Sequence, residues 1–270
     1  MFKIKEYKFR SFKLDANLHK SNYAKLEGGS NLGLKYNPSF GFEDEFIVLQ
    51  KLNHKQIPKV YDYGQDTMFE DEKVVLTQHF IVLDHMSSID LVKHFKEKTT
   101  SNFTNQLDDI IRCFISVCDP LDYLHTKNIL HCDIKPGHLM VDPNKNTVYL
   151  IDYELAIKKA GLLKGISRGY SSPEQEDLLK DLRNPPEGVP PEAIAFFLHL
   201  DDRSDIYSLG AVMYEVLTNR IWKETKTAPR THNKLIPHKL EEIVMATLEE
   251  DPPSRIATAT QLKQSLQNLL

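Results

Sequence analysis

Residues 131–142 read HCDIKPGHLMVD, and residues 151–156 read IDYELA. Asp133 and Lys135 stand two residues apart just after an apolar helical pattern, so on an extended loop their side chains point the same way. The run LMVDPNKNTVYL has the alternation of a hairpin, its turn supplied by Pro143 and Asn144, and it delivers Asp152 to the end of a strand. A carboxylate beside an ammonium, with a second carboxylate free to give a metal a hard oxygen, suits chemistry on phosphate. Such chemistry needs a held ion, fixed cations and an oriented acceptor hydroxyl.

Outward from this stretch the pattern divides in two. Before it, LDANLHKSNYAKL and NLGLKY read as strands joined by a GGS turn, and IPKVYDYG and VVLTQHFIVLDHM read as two more. Between the pairs lies one helix with Phe42, Phe46, Leu49 and Leu52 on its apolar face and three acids in its first turn. After residue 86 apolar residues recur every three or four positions. LDDIIRCFISVCDPLDYLHTKN predicts a long helix kinked at Pro120. SDIYSLGAVMYEVLTN predicts another, with Ser204 as its N-cap, and HKLEEIVMATLE and TATQLKQSLQNLL two more. The expected architecture is α+β: a strand-rich part over 1–86 and a helix-rich part over 87–270.

Composition excludes several classes. With 34 basic and 38 acidic residues the net charge is -4, which argues against a nucleic-acid partner bound through a cationic surface. No run of about 18 apolar residues occurs, so no membrane span is expected, and the charged, aromatic start MFKIKEYKFRSF is not a signal peptide. Three cysteines, at 113, 118 and 132, cannot all pair and lack zinc-ligand spacing, which suits a reducing, cytoplasmic setting.

Six segments in order resemble those of a eukaryotic-type serine/threonine protein kinase domain, most like bacterial or viral members. Lys35 of LGLKY is similar to the strand lysine that holds the α- and β-phosphates of ATP, and Glu45 of FEDEF to the helix glutamate that pairs with it. HCDIKP resembles the catalytic loop, IDYE the metal-binding segment, SSPE the close of the activation segment, and DIYSLG the buried helix beneath it. The resemblance implies a bilobal fold and ATP-dependent phosphoryl transfer to protein, with Asp133 and Lys135 catalytic and Asp152 and His138 on Mg²⁺. It also implies that Asn17, Asp84 and Met86 join Lys35 and Glu45 around the nucleotide. His131 and Tyr153 are core packing, Glu174 and Arg255 a structural ion pair, and Asp205 an anchor for the catalytic loop.

The chain departs from the family pattern at several places. If LDANLHKSNY is the phosphate loop, Asp15, Asn17 and Lys20 replace glycines whose backbone would approach phosphate, so nucleotide affinity should be weaker. Cys132 stands where an arginine would receive an activation-segment phosphate. Ser167 is the one Ser or Thr between Tyr153 and Tyr170, so activity should not wait on phosphorylation there. His138 replaces an asparagine metal ligand, a change that favours Mn²⁺ over Mg²⁺ unless the ring only packs or bonds Asp133. Glu154 follows Tyr153 where glycine is usual, as in some small-molecule phosphotransferases. The long insertion at 175–203 is either a docking surface or a self-packed one. An active protein kinase is the leading reading; a pseudokinase scaffold and a small-molecule phosphotransferase are the alternatives.

Overall fold

The computed structural model describes residues 3–8, 13–17, 23–25, 32–37, 41–70, 73–86, 89–96, 103–159, 161–197 and 200–270. It divides into two units, Met1–Ser87 and Ser88–Leu270.

In the first unit β1 (Lys3–Lys8) and β2 (Lys13–Asn17) pair antiparallel. Next come β3 (Tyr23–Lys25), β4 (Leu32–Asn37), the helix α1 (Glu43–Leu49), β5 (Val60–Glu70) and β6 (Lys73–Asp84). The last four strands form one antiparallel sheet in the order β3-β4-β6-β5, with Lys35 opposite both Tyr23 and Ile81. The nearly continuous apolar run in β6 fits its place inside the sheet, and Ile81, Val82 and Leu83 are buried. On α1, Phe42 and Leu49 are buried as the spacing predicts, with Leu52 just beyond. Phe46 is half-buried, its ring centroid 4.3 Å from that of Tyr63. The expected phosphate-loop turn at 18–22, which includes Lys20, and the GGS turn lie outside the described residues.

The second unit starts with β7 (Ile89–Asp90), α2 (Leu91–Lys96) and the long α3 (Phe103–Thr126). Helix α3 continues six residues past Pro120, although that residue lacks the N–H that would bond the carbonyl of residue 116. Its buried face carries Ile110, Phe114, Val117, Leu121 and Leu124, each contributing about 1.5–3 kcal/mol relative to exposure. Then follow β8 (Ile129–Leu130), the hairpin β9 (Leu139–Asp142) and β10 (Thr147–Leu150), and β11 (Ile157–Lys158), which pairs back with β8. The hairpin turn uses more than Pro143 and Asn144. The Asp142 carboxylate accepts from Asn144 N at 3.0 Å, and Asn146 takes the left-handed conformation at φ +51.

Among the described residues six helices follow: α4 (Pro173–Arg183), α5 (Pro191–Phe197), α6 (Asp202–Thr218), α7 (Trp222–Thr225), α8 (His238–Thr247) and α9 (Ala259–Gln267). The N-cap of α6 is Asp201, whose carboxylate accepts from Arg203 N at 2.8 Å, and not Ser204 as expected. Ser204 lies inside the first turn, and its hydroxyl donates to Glu174 Oε1 at 2.8 Å. Gly210 lets α6 approach α8: a Cβ there would fall 2.0 Å from Thr247 Oγ1. Among the described residues no helix is long and apolar enough to cross a membrane.

Candidate active site

In the first unit, Lys35 Nζ lies 2.9 Å from Glu45 Oε2 and 5.2 Å from the centre of the Phe42 ring. Strand and helix must be folded together for this pair to form, since the residues are ten apart on separate elements. Glu45 is 1% exposed on its side chain and Lys35 15%, so the pair is more than a surface contact. Asp84 ends β6 and turns its carboxylate to the start of β5, where Oδ1 accepts from Tyr61 OH at 2.7 Å and Oδ2 from Lys59 N at 2.9 Å. The bond to Asp84, helped by burial, raises the Tyr61 phenol to about 12. Met86 is half-buried just after the strand. Asn17 ends β2 opposite Lys3, and its side chain lies outside what is described.

In the second unit the loop after β8 hangs from one buried carboxylate. Asp205, near the start of α6, accepts from His131 N and Cys132 N, both at 2.9 Å, and meets His125 Nε2 at 2.9 Å. Burial alone would raise its pKa, but these donors outweigh it and hold the carboxyl below its usual range. Sequence reasoning found Asp205 and missed His125. Its one signal was position, a histidine in the last turn of an apolar helix. Cys132 adopts φ +62 and Gln175 Nε2 donates to its carbonyl at 2.9 Å, so the loop is gripped from α4 as well.

With the backbone fixed in this way, the polar side chains converge. Lys135, extended at φ -153 and ψ 166, places Nζ 2.9 Å from Asp133 Oδ2 and 3.1 Å from Ser167 Oγ. Ser167 Oγ in turn donates to Asp133 Oδ1. His138 lies between two carboxylates: Nδ1 is 2.9 Å from Asp133 O and 3.4 Å from Asp133 Oδ2, and Nε2 is 3.4 Å from Asp152 Oδ2. The carbonyl can only accept, so Nδ1 carries the proton and Nε2 presents its lone pair toward Asp152. Burial lowers the ring to about 4 despite both aspartates, and it is neutral at pH 7. Asp152 stands in the left-handed region at φ +68, a state that aspartate tolerates better than most residues. His131 and Tyr153 lie ring to ring at 5.0 Å, tilted by 59°. His131 Nδ1 accepts from Asp133 N at 3.3 Å, while Nε2–H bonds Ile151 O at 3.1 Å.

Asp152 Oδ2 and His138 Nε2, 3.4 Å apart, are two ligand atoms that a divalent cation could share. Among the described residues no three His, Cys, Asp or Glu side chains gather into a complete metal cage. An ion here would therefore complete its shell with phosphate and water, the habit of Mg²⁺.

Below the site, Ser172 caps α4 in a capping box with Gln175, and Glu174 meets Arg255. Arg255 Nη1 lies 2.5 Å from Glu174 Oε1 and Nη2 2.8 Å from Oε2, a bidentate pair. Burial pushes the Glu174 carboxyl up, but Arg255 and Ser204 together bring it below its ordinary range.

The family model of the protein kinase domain matches residues 40–270, and the chain belongs to that family. The match takes in Glu45, Asp133, Asp152, Glu174, Asp205 and Arg255 and begins after Lys35. Among individual proteins, it is 26% identical over 235 residues to an Aurora kinase of Eremothecium gossypii, covering 83% of this chain and 56% of that one. It is 25% identical over 279 residues to the serine/threonine-protein kinase PknB of Mycobacterium tuberculosis, covering 93% and 39% respectively. A probable serine/threonine-protein kinase of Clostridium acetobutylicum is 25% identical over 251 residues, covering 85% and 33%. The chain thus spans between a third and just over half of these relatives' lengths.

Proposed function

We propose that the chain transfers the γ-phosphoryl group of ATP to serine or threonine hydroxyls of a protein. The observation that carries this reading is the setting of Asp133, whose carboxylate accepts from Lys135 Nζ at 2.9 Å on one oxygen and from the Ser167 hydroxyl on the other. A carboxylate has about four acceptor positions, so an incoming alcohol still finds one. In the proposed reaction the alcohol oxygen attacks the γ-phosphorus and its proton passes to Asp133. The bond from that phosphorus to the β,γ-bridging oxygen breaks, and ADP leaves with the electron pair. Lys135 neutralises charge that grows on the transferring group.

Lys35, steadied by Glu45, would meet the α- and β-phosphates, and Asn17, Asp84 and Met86 are the further nucleotide-binding residues. Asp152 and His138 would hold the metal, with Mn²⁺ accepting the mixed oxygen and nitrogen pair more readily than Mg²⁺. When bound, such an ion neutralises phosphate charge and fixes its orientation. Cys132, in place of a phosphate-binding arginine, supports activity without activation-segment phosphorylation.

A protein acceptor is favoured over a metabolite by Ser167 at the reacting carboxylate and by the Glu174–Arg255 pair and Asp205 beneath it. Cys113, Cys118 and Cys132, buried and in no disulfide, suit a reducing cytoplasm. The experiment is incubation with γ-labelled ATP and Mg²⁺ or Mn²⁺ against a mixed protein extract, followed by phosphoamino-acid analysis. Label on serine or threonine supports the proposal. Saturable nucleotide binding without transfer would replace it with a nucleotide-binding scaffold, and label only on metabolites with a small-molecule phosphotransferase.

A further inference from the structure

Ser167 can reach Asp133 and Lys135 only if the segment that carries it, described over 157–159 and 161–171, is ordered. Hydrogen bonds fasten that segment at both ends. Ile157 and Lys158 pair with Leu130 and Ile129, and Lys159 N donates to Asn128 O at 3.0 Å. At the far end Ser171 bonds back to Ser167 O through its N–H at 3.1 Å and its hydroxyl at 2.9 Å.

Between these ties the packing is apolar. Leu163 is buried in a cluster with Cys132 of the catalytic loop, Leu178 and Leu179 of α4, and Ile194 and Leu200 of the 175–203 insertion. Ile166, next to Ser167, packs against the same cluster. Cys132 is 1% exposed, and burial keeps its thiol protonated, so it serves here as uncharged filling. The insertion meets this cluster with one face of a short helix: Ile194 and Ala195 are buried while Phe196 is 67% exposed.

We propose that α5 is an intramolecular clamp: through Ile194, with Leu200 after it, the insertion seals the apolar cluster that holds the Ser167 segment against the catalytic loop. Order in the segment then comes from hydrophobic burial rather than from a phosphate paired with a cation. The clamp's role in regulation rests on the kinase reading, while its physical existence does not.

The test is hydrogen exchange by mass spectrometry on phosphatase-treated full chain, without nucleotide. In the wild type, amides of 157–159 and 161–167 should be protected. Ile194→Ala should speed their exchange by about tenfold or more, and Ile194→Leu should restore protection. Val244→Ala, which truncates a buried side chain of α8 outside the cluster, should leave them at the wild-type rate. An unprotected segment in the dephosphorylated wild type, an unchanged rate in Ile194→Ala, or equal acceleration in Val244→Ala would each overturn the clamp. Absence of phosphoryl transfer would instead overturn the functional reading and leave the exchange result standing.

Discussion

Arg255→Met should be among the most damaging single substitutions in the second unit. The Arg255 side chain is 0% exposed and donates five times: to both Glu174 oxygens, to Glu249 O at 2.6 Å, to Glu250 O at 2.9 Å and to Arg203 O at 3.2 Å. Its guanidinium also lies 4.9 Å from the centre of the Tyr207 ring. Methionine roughly fills the volume, so the loss is electrostatic: a carboxylate only 21% exposed keeps the Ser204 hydroxyl and its own backbone N–H but no cation, and three carbonyls lose a donor. Breaking a buried ion pair from one side costs about 3–5 kcal/mol. For a unit of this size that lowers Tm by roughly 6–20 °C. The folded-state pKa of Glu174 lies below its unfolded value, so the pair's contribution is full above about 4.5 and is lost as pH falls through the folded value. Thermal and urea unfolding at pH 7 and pH 3.5 should show a large penalty for Arg255→Met at the first pH and a smaller one at the second. Glu174→Gln combined with Arg255→Met should recover part of the loss. A penalty under about 1 kcal/mol at pH 7, the size expected of an exposed pair, would refute the reasoning.

Cys132 should resist thiol-labelling reagents in the native chain and react only on unfolding, because it is 1% exposed and burial raises its pKa; prompt native labelling, resolved by peptide mapping, would contradict this. Ser167→Ala removes the hydroxyl between Asp133 and Lys135, and steady-state kinetics should show protein phosphorylation reduced by about tenfold or more with the KM for ATP unchanged. His138→Asn exchanges a nitrogen donor for an oxygen one, and parallel assays in the two metals should show the ratio of Mg²⁺- to Mn²⁺-supported rates rising.

The sequence made some contacts legible and hid others, for identifiable reasons. Asp205, Glu174 and Arg255 could be read because the segments that carry them, DIYSLG, SSPE and DPPSRIATA, resemble the family's own. Lys35 and Glu45 are ordinary residues on a strand and a helix; their pairing, expected from the family resemblance alone, is made at 2.9 Å by tertiary packing. In DDRSD, aspartate and serine both cap helices well. The choice of Asp201 over Ser204 was made by backbone geometry and by Glu174 claiming the serine hydroxyl. His125 was passed over because a histidine near a helix end usually answers the helix dipole, whereas here it binds a buried carboxylate. The left-handed backbone at Cys132 had no glycine, asparagine or aspartate to announce it. The insertion read as an extended arm with a short helix; its 184–190 stretch is exposed, and it was the place of Ile194 in one buried cluster with Leu163 and Cys132 that composition could not disclose.

The division of labour between the two aspartates is best measured by single-turnover transfer from γ-labelled ATP, alongside calorimetric titration of nucleotide with Mn²⁺. Asp133→Asn should keep metal-dependent nucleotide binding while transfer slows by about 10²–10⁴-fold, the worth of a positioned base. Asp152→Asn should lose the metal-dependent binding itself. Undiminished transfer by Asp133→Asn, or metal-dependent binding unaltered in Asp152→Asn, would contradict the assignment.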